Sequence, residues 1–268
     1  MSGKSKKSFK ETRKGKAFMF LVKTPVYVYR GIKKMKSHFD KRLEKKNVLK
    51  NRGMIDAKYR HFEILQTEDG NYNLWEKNLF ESDSKIGVII GARGTGKTAF
   101  GVKFLENFYS KNKKRCYAIG FKENEMPMWI NVVQNINQLT NNSFVLIDEG
   151  GILFSSRSSM SNVNKLLSEL ILIARHKNLS ILFISQNSSN LDVNILRQAD
   201  FLVLKPSSLL QKDFERKIVQ KIYEQADESF GKFKDVKGVT YIYSGDFKGF
   251  VANPLPSFWK ETISKSFE

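Results

Sequence analysis

The sequence has a single cysteine, Cys116, among its 268 residues. One cysteine excludes an intramolecular disulfide framework, and its place in the apolar stretch 116–121 predicts a buried strand residue in a reducing compartment. Long apolar runs are also missing, since no segment reaches the roughly 20 apolar residues of a membrane-spanning helix. The apolar content of 41% still suffices for a core, so we expect one α/β domain with an appendage.

Acidic residues are scarce at the start of the chain. Residues 1–60 contain 20 Lys and Arg but only 4 Asp and Glu, so they carry +16 of the total net charge of +19. The other 208 residues are nearly neutral, at +3. Such a basic arm binds polyanions by releasing their counterions, largely without sequence preference. The alternative is a solvated tail that only aids solubility.

The basic arm has three parts. Residues 1–16 are polar and basic, and we expect them to be disordered. Residues 17–30 form an apolar patch between lysines and arginines, which suits docking on a partner or on the protein body, or contact with an anionic membrane surface. The spacing of apolar residues in 31–50 predicts a helix.

From about residue 61 the pattern changes to alternating strands and helices, which predicts a mostly parallel sheet covered on both faces. The predicted core elements are strand 86–90, helix 97–111, strand 115–120, strand 143–148, helix 162–177, strand 180–185 and strand 200–204. A short strand pair, 62–65 with 73–75, is predicted before this core. A helix over 211–228 and a hairpin around Gly245 are predicted after it. We therefore expect an α/β domain over 61–253 and a tail over 254–268.

The most specific motif is a glycine-rich loop that follows the apolar strand 86–90. It has the G-x-x-x-x-G-K-[ST] pattern between a strand and a helix that defines a phosphate-binding loop. Glycines let backbone N–H groups approach phosphate oxygens, Lys97 is placed to reach the β- and γ-phosphates, and the Thr98 hydroxyl to hold Mg²⁺. The predicted nucleotide-binding residues are Gly91, Ala92, Arg93, Gly94, Thr95, Gly96, Lys97, Thr98 and Ala99.

A second apolar strand, 144–147, ends in Asp148 and Glu149. Placed 50 residues after a phosphate loop, it has the form of a Walker B element. We predict that Asp148 holds the Mg²⁺ shell and that Glu149 orients or deprotonates the attacking water. The alternative is that the two carboxylates only close a strand at the surface.

Further along, a helix ends in Ala-Arg at Arg175, the next strand ends at Gln186, and Leu-Asp-(x)3-Leu-Arg follows over 191–197. In this order the motifs resemble the FtsK–HerA superfamily of DNA-pumping ATPases. The short length is similar to the genome-packaging ATPases of viruses with an internal membrane and a double jelly-roll capsid. The resemblance covers about residues 84–206, and its most discriminating part is the segment 175–186.

The resemblance implies a P-loop NTPase fold, α/β with a mostly parallel central sheet flanked by helices, and ATP hydrolysis coupled to DNA movement. Members assemble as ring hexamers in which an arginine reaches the γ-phosphate of the next subunit. That residue corresponds to Arg175, with Arg197 as the second candidate; otherwise Arg175 is a cation favoured by the helix dipole. Gln186 would sense the γ-phosphate. The resemblance also implies adenine over guanine, and the sequence has no Asn-Lys-x-Asp motif that would recognise guanine.

The resemblance also implies partners and a location. We expect nucleic acid, further copies of the chain and a capsid vertex protein or membrane surface, in the host cytoplasm during assembly or associated with the virion. The serine-rich stretch 155–161, which includes Arg157, would be a mobile loop that either faces DNA in the ring pore or is simply flexible. The basic arm and the segment after 207 have no counterpart in the family core.

Two other functions remain open. One is an assembly ATPase of the filamentous-phage, zonula-occludens-toxin-like type, which typically begins near the phosphate loop and has a later membrane span. This sequence has 84 residues before the loop region and no predicted span, so we place that function second. The other is a structural nucleic-acid-binding protein with a nucleotide switch, which would have no need for a water-activating carboxylate at Glu149.

Overall fold

The computed structural model describes residues 52–156 and 159–264, with isolated positions 43, 46, 47 and 50 before them. Residues from Arg52 onward form one unit, and Met1–Asn51 form another. The boundary predicted between residues 60 and 61 therefore lies inside the larger unit. The predictions for 1–16 and 17–30, and nearly all of the predicted helix 31–50, fall outside the described residues.

The strands are β1 (Glu63–Gly70), β2 (Ile86–Ile90), β3 (Arg115–Ile119), β4 (Ile130–Val132), β5 (Ser143–Asp148), β6 (Leu179–Ile184), β7 (Phe201–Leu204), β8 (Val239–Ser244) and β9 (Phe247–Ala252). The helices are α1 (Tyr72–Glu81), α2 (Lys97–Asn112), α3 (Glu149–Ser156), α4 (Met160–Lys177), α5 (Val193–Arg197), α6 (Leu209–Asp213), α7 (Lys217–Lys232) and α8 (Glu261–Ser264).

Within the described residues the nine strands form one sheet, in the order β1-β9-β8-β7-β2-β6-β5-β3-β4. The six strands from β7 to β4 are parallel, and β8, β9 and β1 extend the sheet with antiparallel pairs. The predicted mostly parallel sheet with flanking helices is confirmed. Parallel strands bring their carboxyl ends to one edge, and that edge carries the motifs found in the sequence.

Helices cover both faces of the sheet. One face packs on α1 and α2 through an aromatic-rich cluster in which Trp75 and Phe104 are buried, and the other packs on α4 and α7. Helix α2 is buried on almost every side from Lys97 to Phe108, so its N-terminus is rigidly placed. Cys116 is fully buried in β3, as predicted. Among the described helices, none has the length and apolar character needed to cross a membrane.

The strand pair predicted for 62–65 and 73–75 is wrong, because the second segment is the helix α1. Gly70 ends β1 with a φ of +73°, a conformation that glycine adopts without strain. The Asn71 side chain then accepts a hydrogen bond of 3.0 Å from the Leu74 amide and caps the helix. Trp75 and Leu79, four residues apart on one face of α1, are buried.

The region after 207 also differs in part from the prediction. The single helix predicted over 211–228 is two helices, α6 and α7, and Glu215 lies in the break, where its carboxylate accepts a 2.6 Å hydrogen bond from the Ser188 amide. The predicted hairpin is confirmed as β8 and β9. The segment 254–264 contributes Phe258 and Ile263 to the core.

The serine-rich stretch after the Walker B strand is shorter as a loop than predicted. Helix α3 continues to Ser156 and α4 begins at Met160, so helical backbone takes up most of the segment 155–161. Arg157 lies outside the described residues, and its predicted role in contacting DNA stays a prediction.

Candidate nucleotide site

The strand order brings three sequence motifs to one edge of the sheet. β6 lies between β2, which leads into the phosphate loop, and β5, which ends at Asp148. Ser185 and Gln186, which follow β6, therefore lie between the loop and the Walker B carboxylates. All of these elements line one cavity of about 610 Å³, a size typical of small-ligand sites.

Backbone conformation explains the glycines of the phosphate loop. Gly94 and Gly96 have φ values of +79° and +88°, which glycine adopts far more readily than other residues. A Cβ added at Gly91 would lie 2.5 Å from the Cβ of Lys205, just after β7. The Ala92 amide donates to the carbonyl of Pro206 at 3.1 Å. The loop is thus packed against the chain that follows β7.

Lys97 begins α2 and is buried beneath the loop. Its ammonium donates to the carbonyl oxygens of Gly91 at 2.6 Å and Ala92 at 2.8 Å. Burial lowers the pKa of Lys97 to about 8, although the carboxylates of Asp148 and Glu149 oppose the shift. A poorly solvated ammonium group at this position is well suited to bind a phosphate group.

Thr98 and Asp148 bring two oxygen ligands together at the end of β5. The Thr98 hydroxyl donates to Oδ2 of Asp148 at 3.3 Å, and the Gly150 amide donates to Oδ1 at 3.0 Å. Burial raises the pKa of Asp148. In the described part of the chain, no group of three or more His, Cys, Asp or Glu side chains could hold a metal. The pair fits Mg²⁺, which takes few protein ligands and shares the rest with phosphates and water.

Glu149 is buried, with 3% of its surface exposed, and it lines the cavity. Its Oε1 accepts a hydrogen bond of 3.2 Å from the Asn190 side-chain amide. Its Oε2 is buried and has no partner within good hydrogen-bond geometry among the described residues. Burial raises the pKa of this carboxyl group, and the nearby Ser185 side chain, Asn190 side chain and Gln186 amide oppose the shift. A buried carboxylate with a raised pKa beside a phosphate-binding loop has the properties of a general base for water.

Gly151, two residues after Glu149, lets the first turn of α3 pack closely against the turn after β3. A Cβ at Gly151 would lie 1.9 Å from the carbonyl oxygen of Gly120, and Gly120 itself has a φ of +86°. Only glycine permits this approach of α3 to the turn after β3. The close packing fixes the first turn of α3 and, with it, the Glu149 side chain.

The other predicted site residues differ in whether they line the cavity. Arg93, Gly94, Gly96, Lys97, Thr98, Ala99 and Gln186 line the cavity. Thr95 donates to the Ala92 carbonyl within the loop at 2.7 Å. Arg175 and Arg197 are exposed and are not among the residues that line the cavity.

Sequence reasoning missed several residues of this site. Asn190 holds Glu149 from a 3-10 helix, Ser188–Asn190, and no motif marks it. Leu255 and Trp259 also line the cavity, although they follow the last strand in a segment predicted to be a tail. These two apolar residues match no sequence motif, because only the fold brings them close to the phosphate loop.

A glycine loop between a buried parallel strand and a helix, with its lysine and threonine beside a strand-end carboxylate, defines a P-loop NTPase. The protein-family model of zonular occludens toxin (Zot) matches residues 105–203, less than half of the chain. The matched range includes the Walker B strand and the segment 175–186. A comparison with curated protein sequences finds no match.

Three solved structures illustrate what the chain is similar to. The DNA-packaging ATPase B204 of Sulfolobus turreted icosahedral virus is 19% identical over 65% of this chain and 98% of that chain, with a TM-score of 0.44. The genome-packaging NTPase B204 of Sulfolobus turreted icosahedral virus 2, in complex with AMPPCP, is 16% identical over 65% and 100%, with a TM-score of 0.45. The pCW3 conjugation coupling protein TcpA is 12% identical over 69% and 64%, with a TM-score of 0.43.

Proposed function

We propose that this protein hydrolyses ATP to move nucleic acid, as the motor of a viral genome-packaging machine. The observation that carries the proposal is Glu149, whose carboxylate is buried at the end of the Walker B strand and lines the same cavity as Lys97. A site that only bound a nucleotide would gain nothing from a desolvated carboxylate at this position. A hydrolytic site needs one to accept a proton from water.

Each residue of the cavity has a role in that reaction. Lys97 and the loop amides hold the β- and γ-phosphates, and Thr98 and Asp148 hold Mg²⁺, which neutralises charge on the phosphate oxygens. Glu149 orients the attacking water and accepts its proton. Gln186 lies between the loop and Glu149, where it can contact the γ-phosphate before hydrolysis and lose that contact afterwards.

The proposed motor is a ring of identical subunits in which Arg175 of one subunit reaches the nucleotide site of the next. Its guanidinium lies on the exposed last turn of α4, so it is available to a neighbouring molecule. In a hexameric ring it would complete the site of the next subunit by neutralising transition-state charge. Arg197, exposed at the end of α5, is the second candidate for this role.

The basic arm supports the nucleic-acid partner. With a net charge of +16 over residues 1–60, it can hold a polyanion by counterion release. The same arm could attach the ring to a capsid vertex protein or, through the apolar patch 17–30, to a membrane surface. We place this assembly in the host cytoplasm, with association to the virion at a vertex or inner membrane.

A second candidate is a virion-assembly ATPase of the Zot type, favoured by the family-model match over 105–203. Such a protein would use the same nucleotide site to drive virion assembly. The two functions differ in whether DNA enters the ATPase cycle, and turnover measurements separate them.

The test is ATP hydrolysis by the purified protein with and without single- and double-stranded DNA, at two salt concentrations. If the protein is a motor, DNA should stimulate its ATP hydrolysis, and the stimulation should weaken at high salt because the contacts with DNA are electrostatic. DNA binding with no change in turnover would favour the assembly ATPase. The absence of ATP hydrolysis under all conditions would overturn the proposal, and Glu149→Gln protein prepared in the same way controls for contaminating ATPases.

A further inference from the structure

The nucleotide cavity has a second wall that the motifs do not account for. Leu255, Trp259 and Ser264, all after the last strand, line the same cavity as the phosphate loop. The loop side offers backbone amides, an ammonium group and carboxylates. The segment after the last strand adds a leucine and a tryptophan to the lining of the same cavity.

This wall is fixed to the phosphate-loop helix. The Ser257 amide donates to Oε2 of Glu106, a fully buried residue of α2, at 3.1 Å, and the Ser257 hydroxyl also donates to that carboxylate. Next to Ser257, Phe258 packs edge-on against Trp129, with 5.7 Å between ring centroids. Further along the segment, Ile263 is buried, with 1% of its surface exposed. The segment is therefore held at three points, and Trp259 lies between them.

The two apolar side chains differ from their anchored neighbours because they are not fully covered. Leu255 is 58% exposed and Trp259 is half-buried, although both line a cavity. Trp259 packs in part against the core, and the exposed part of an indole ring is a stacking surface for another aromatic ring. A nucleoside triphosphate has such a ring at the end opposite its phosphates, and the loop fixes the phosphate end.

We propose that Leu255 and Trp259 form the base-binding wall of the site, with the nucleotide base packed on the Trp259 indole and against Leu255. The proposal rests on the proposed function, since it assigns the part of the same substrate that the phosphate loop does not hold. It gives the segment 254–264 a role in binding a nucleoside, as distinct from binding phosphate.

The test compares a ligand that has a base with one that has none. Kd values for a non-hydrolysable ATP analogue and for inorganic tripolyphosphate would be measured by calorimetry for wild type, Trp259→Ala, Trp259→Phe and Leu255→Ala. We expect Trp259→Ala to raise the Kd for the analogue about tenfold and Leu255→Ala severalfold, with tripolyphosphate binding unchanged within about twofold. Trp259→Phe keeps a stacking ring and should stay within about threefold of wild type.

Leu210→Ala is the matched control, because Leu210 is an exposed leucine, at 73%, that does not line the cavity. A second readout is intrinsic fluorescence. Addition of the analogue should change the emission of wild type but not of Trp259→Phe, which retains Trp75 and Trp129.

Unchanged analogue affinity in Trp259→Ala, or equal weakening of both ligands, would overturn the base-binding wall. Either result would leave the proposed ATPase intact if wild type still hydrolyses ATP. Conversely, wall-dependent binding without any hydrolysis would support the wall and overturn the motor. Wild-type protein that binds no analogue would overturn both.

Discussion

The side-chain amide of Asn190 donates a hydrogen bond to Oε1 of Glu149, with 3.2 Å between the two atoms. The Asn190 carbonyl in turn accepts a 3.0 Å hydrogen bond from the Asn164 side chain on α4. The carboxylate that we assign to water activation is therefore held by a residue fixed to α4, the helix whose last turn contains Arg175. Asn190 is a positioning residue for Glu149.

Replacement of Asn190 by alanine tests this role. We expect kcat to fall about tenfold while KM stays within about twofold, because the phosphate-binding groups are untouched. Burial raises the pKa of Glu149, and hydrogen bonds from Ser185, Asn190 and the Gln186 amide oppose that shift. The acid limb of the kcat–pH profile should therefore move to higher pH in Asn190→Ala. Steady-state kinetics across a pH series measure both effects.

The control for Asn190→Ala is Asn137→Ala, an exposed asparagine in another 3-10 helix, Ile136–Gln138. It should leave kcat and the pH profile at wild-type values. A similar loss in both variants, or an unshifted acid limb in Asn190→Ala, would contradict the positioning role.

Glu149→Gln keeps the shape of the side chain and removes its basicity. We expect turnover to fall at least about a hundredfold, while the Kd for ATP stays within about threefold, since Lys97 and the loop still bind the phosphates. Single-turnover hydrolysis and equilibrium binding on the same sample separate the two quantities. Persistent hydrolysis would show that another group accepts the proton.

Nucleotide affinity should depend on pH through Lys97. Burial lowers the pKa of its ammonium to about 8 in the free protein, and phosphate binding requires the protonated form. Below that pH the charge is already present, so affinity is constant. Above it a proton must be taken up on binding, and Kd should rise about tenfold per pH unit.

Titration of a non-hydrolysable ATP analogue from about pH 7 to about pH 9.5 measures this dependence. Lys97→Arg is the control, because a guanidinium keeps its charge throughout this range. Its binding is expected to be weaker but independent of pH. A flat profile in wild type would show that Lys97 stays protonated throughout.

The parts of the site that could be predicted are those whose chemistry depends on adjacent residues. In the loop 91–98, the glycines themselves indicate a backbone with positive φ values. In the strand that ends at Asp148, the continuous apolar run itself indicates a buried parallel strand. The helix over 72–81 could also have been predicted, since Asn71 is a helix cap and Trp75 and Leu79 have helical spacing. The Asp-Gly-Asn sequence before it instead favoured a hairpin turn.

The remaining residues of the site could not be found in this way. Asn190 meets Glu149 across 41 positions of sequence, and Ser257 meets Glu106 across 151. Contacts at such separations depend on strand order and helix packing. A single sequence does not encode them in any short pattern, and Leu255 and Trp259 were therefore placed in a tail.

The ion pair between Lys103 and Glu106 gives a prediction about stability. Its two charged atoms are 2.8 Å apart, with side chains 2% and 0% exposed. Glu106 also accepts from the amides of Lys58 and Ser257, each at 3.1 Å, so one carboxylate joins α2 to the segments before β1 and after β9. Glu106→Gln leaves the Lys103 charge buried without its partner, which should lower the free energy of unfolding by roughly 3–5 kcal/mol.

Urea denaturation of Glu106→Gln measures that loss, with Asp69→Asn as the matched control. Asp69 pairs with Lys248 at 3.6 Å, but the two side chains are 69% and 35% exposed, and solvent screening limits such a pair to less than about 1 kcal/mol. Because Ser257 depends on Glu106, proteolysis of the folded variant should also cut first near residue 257. Equal unfolding free energies for the two variants would mean that the buried pair contributes no more than the exposed one.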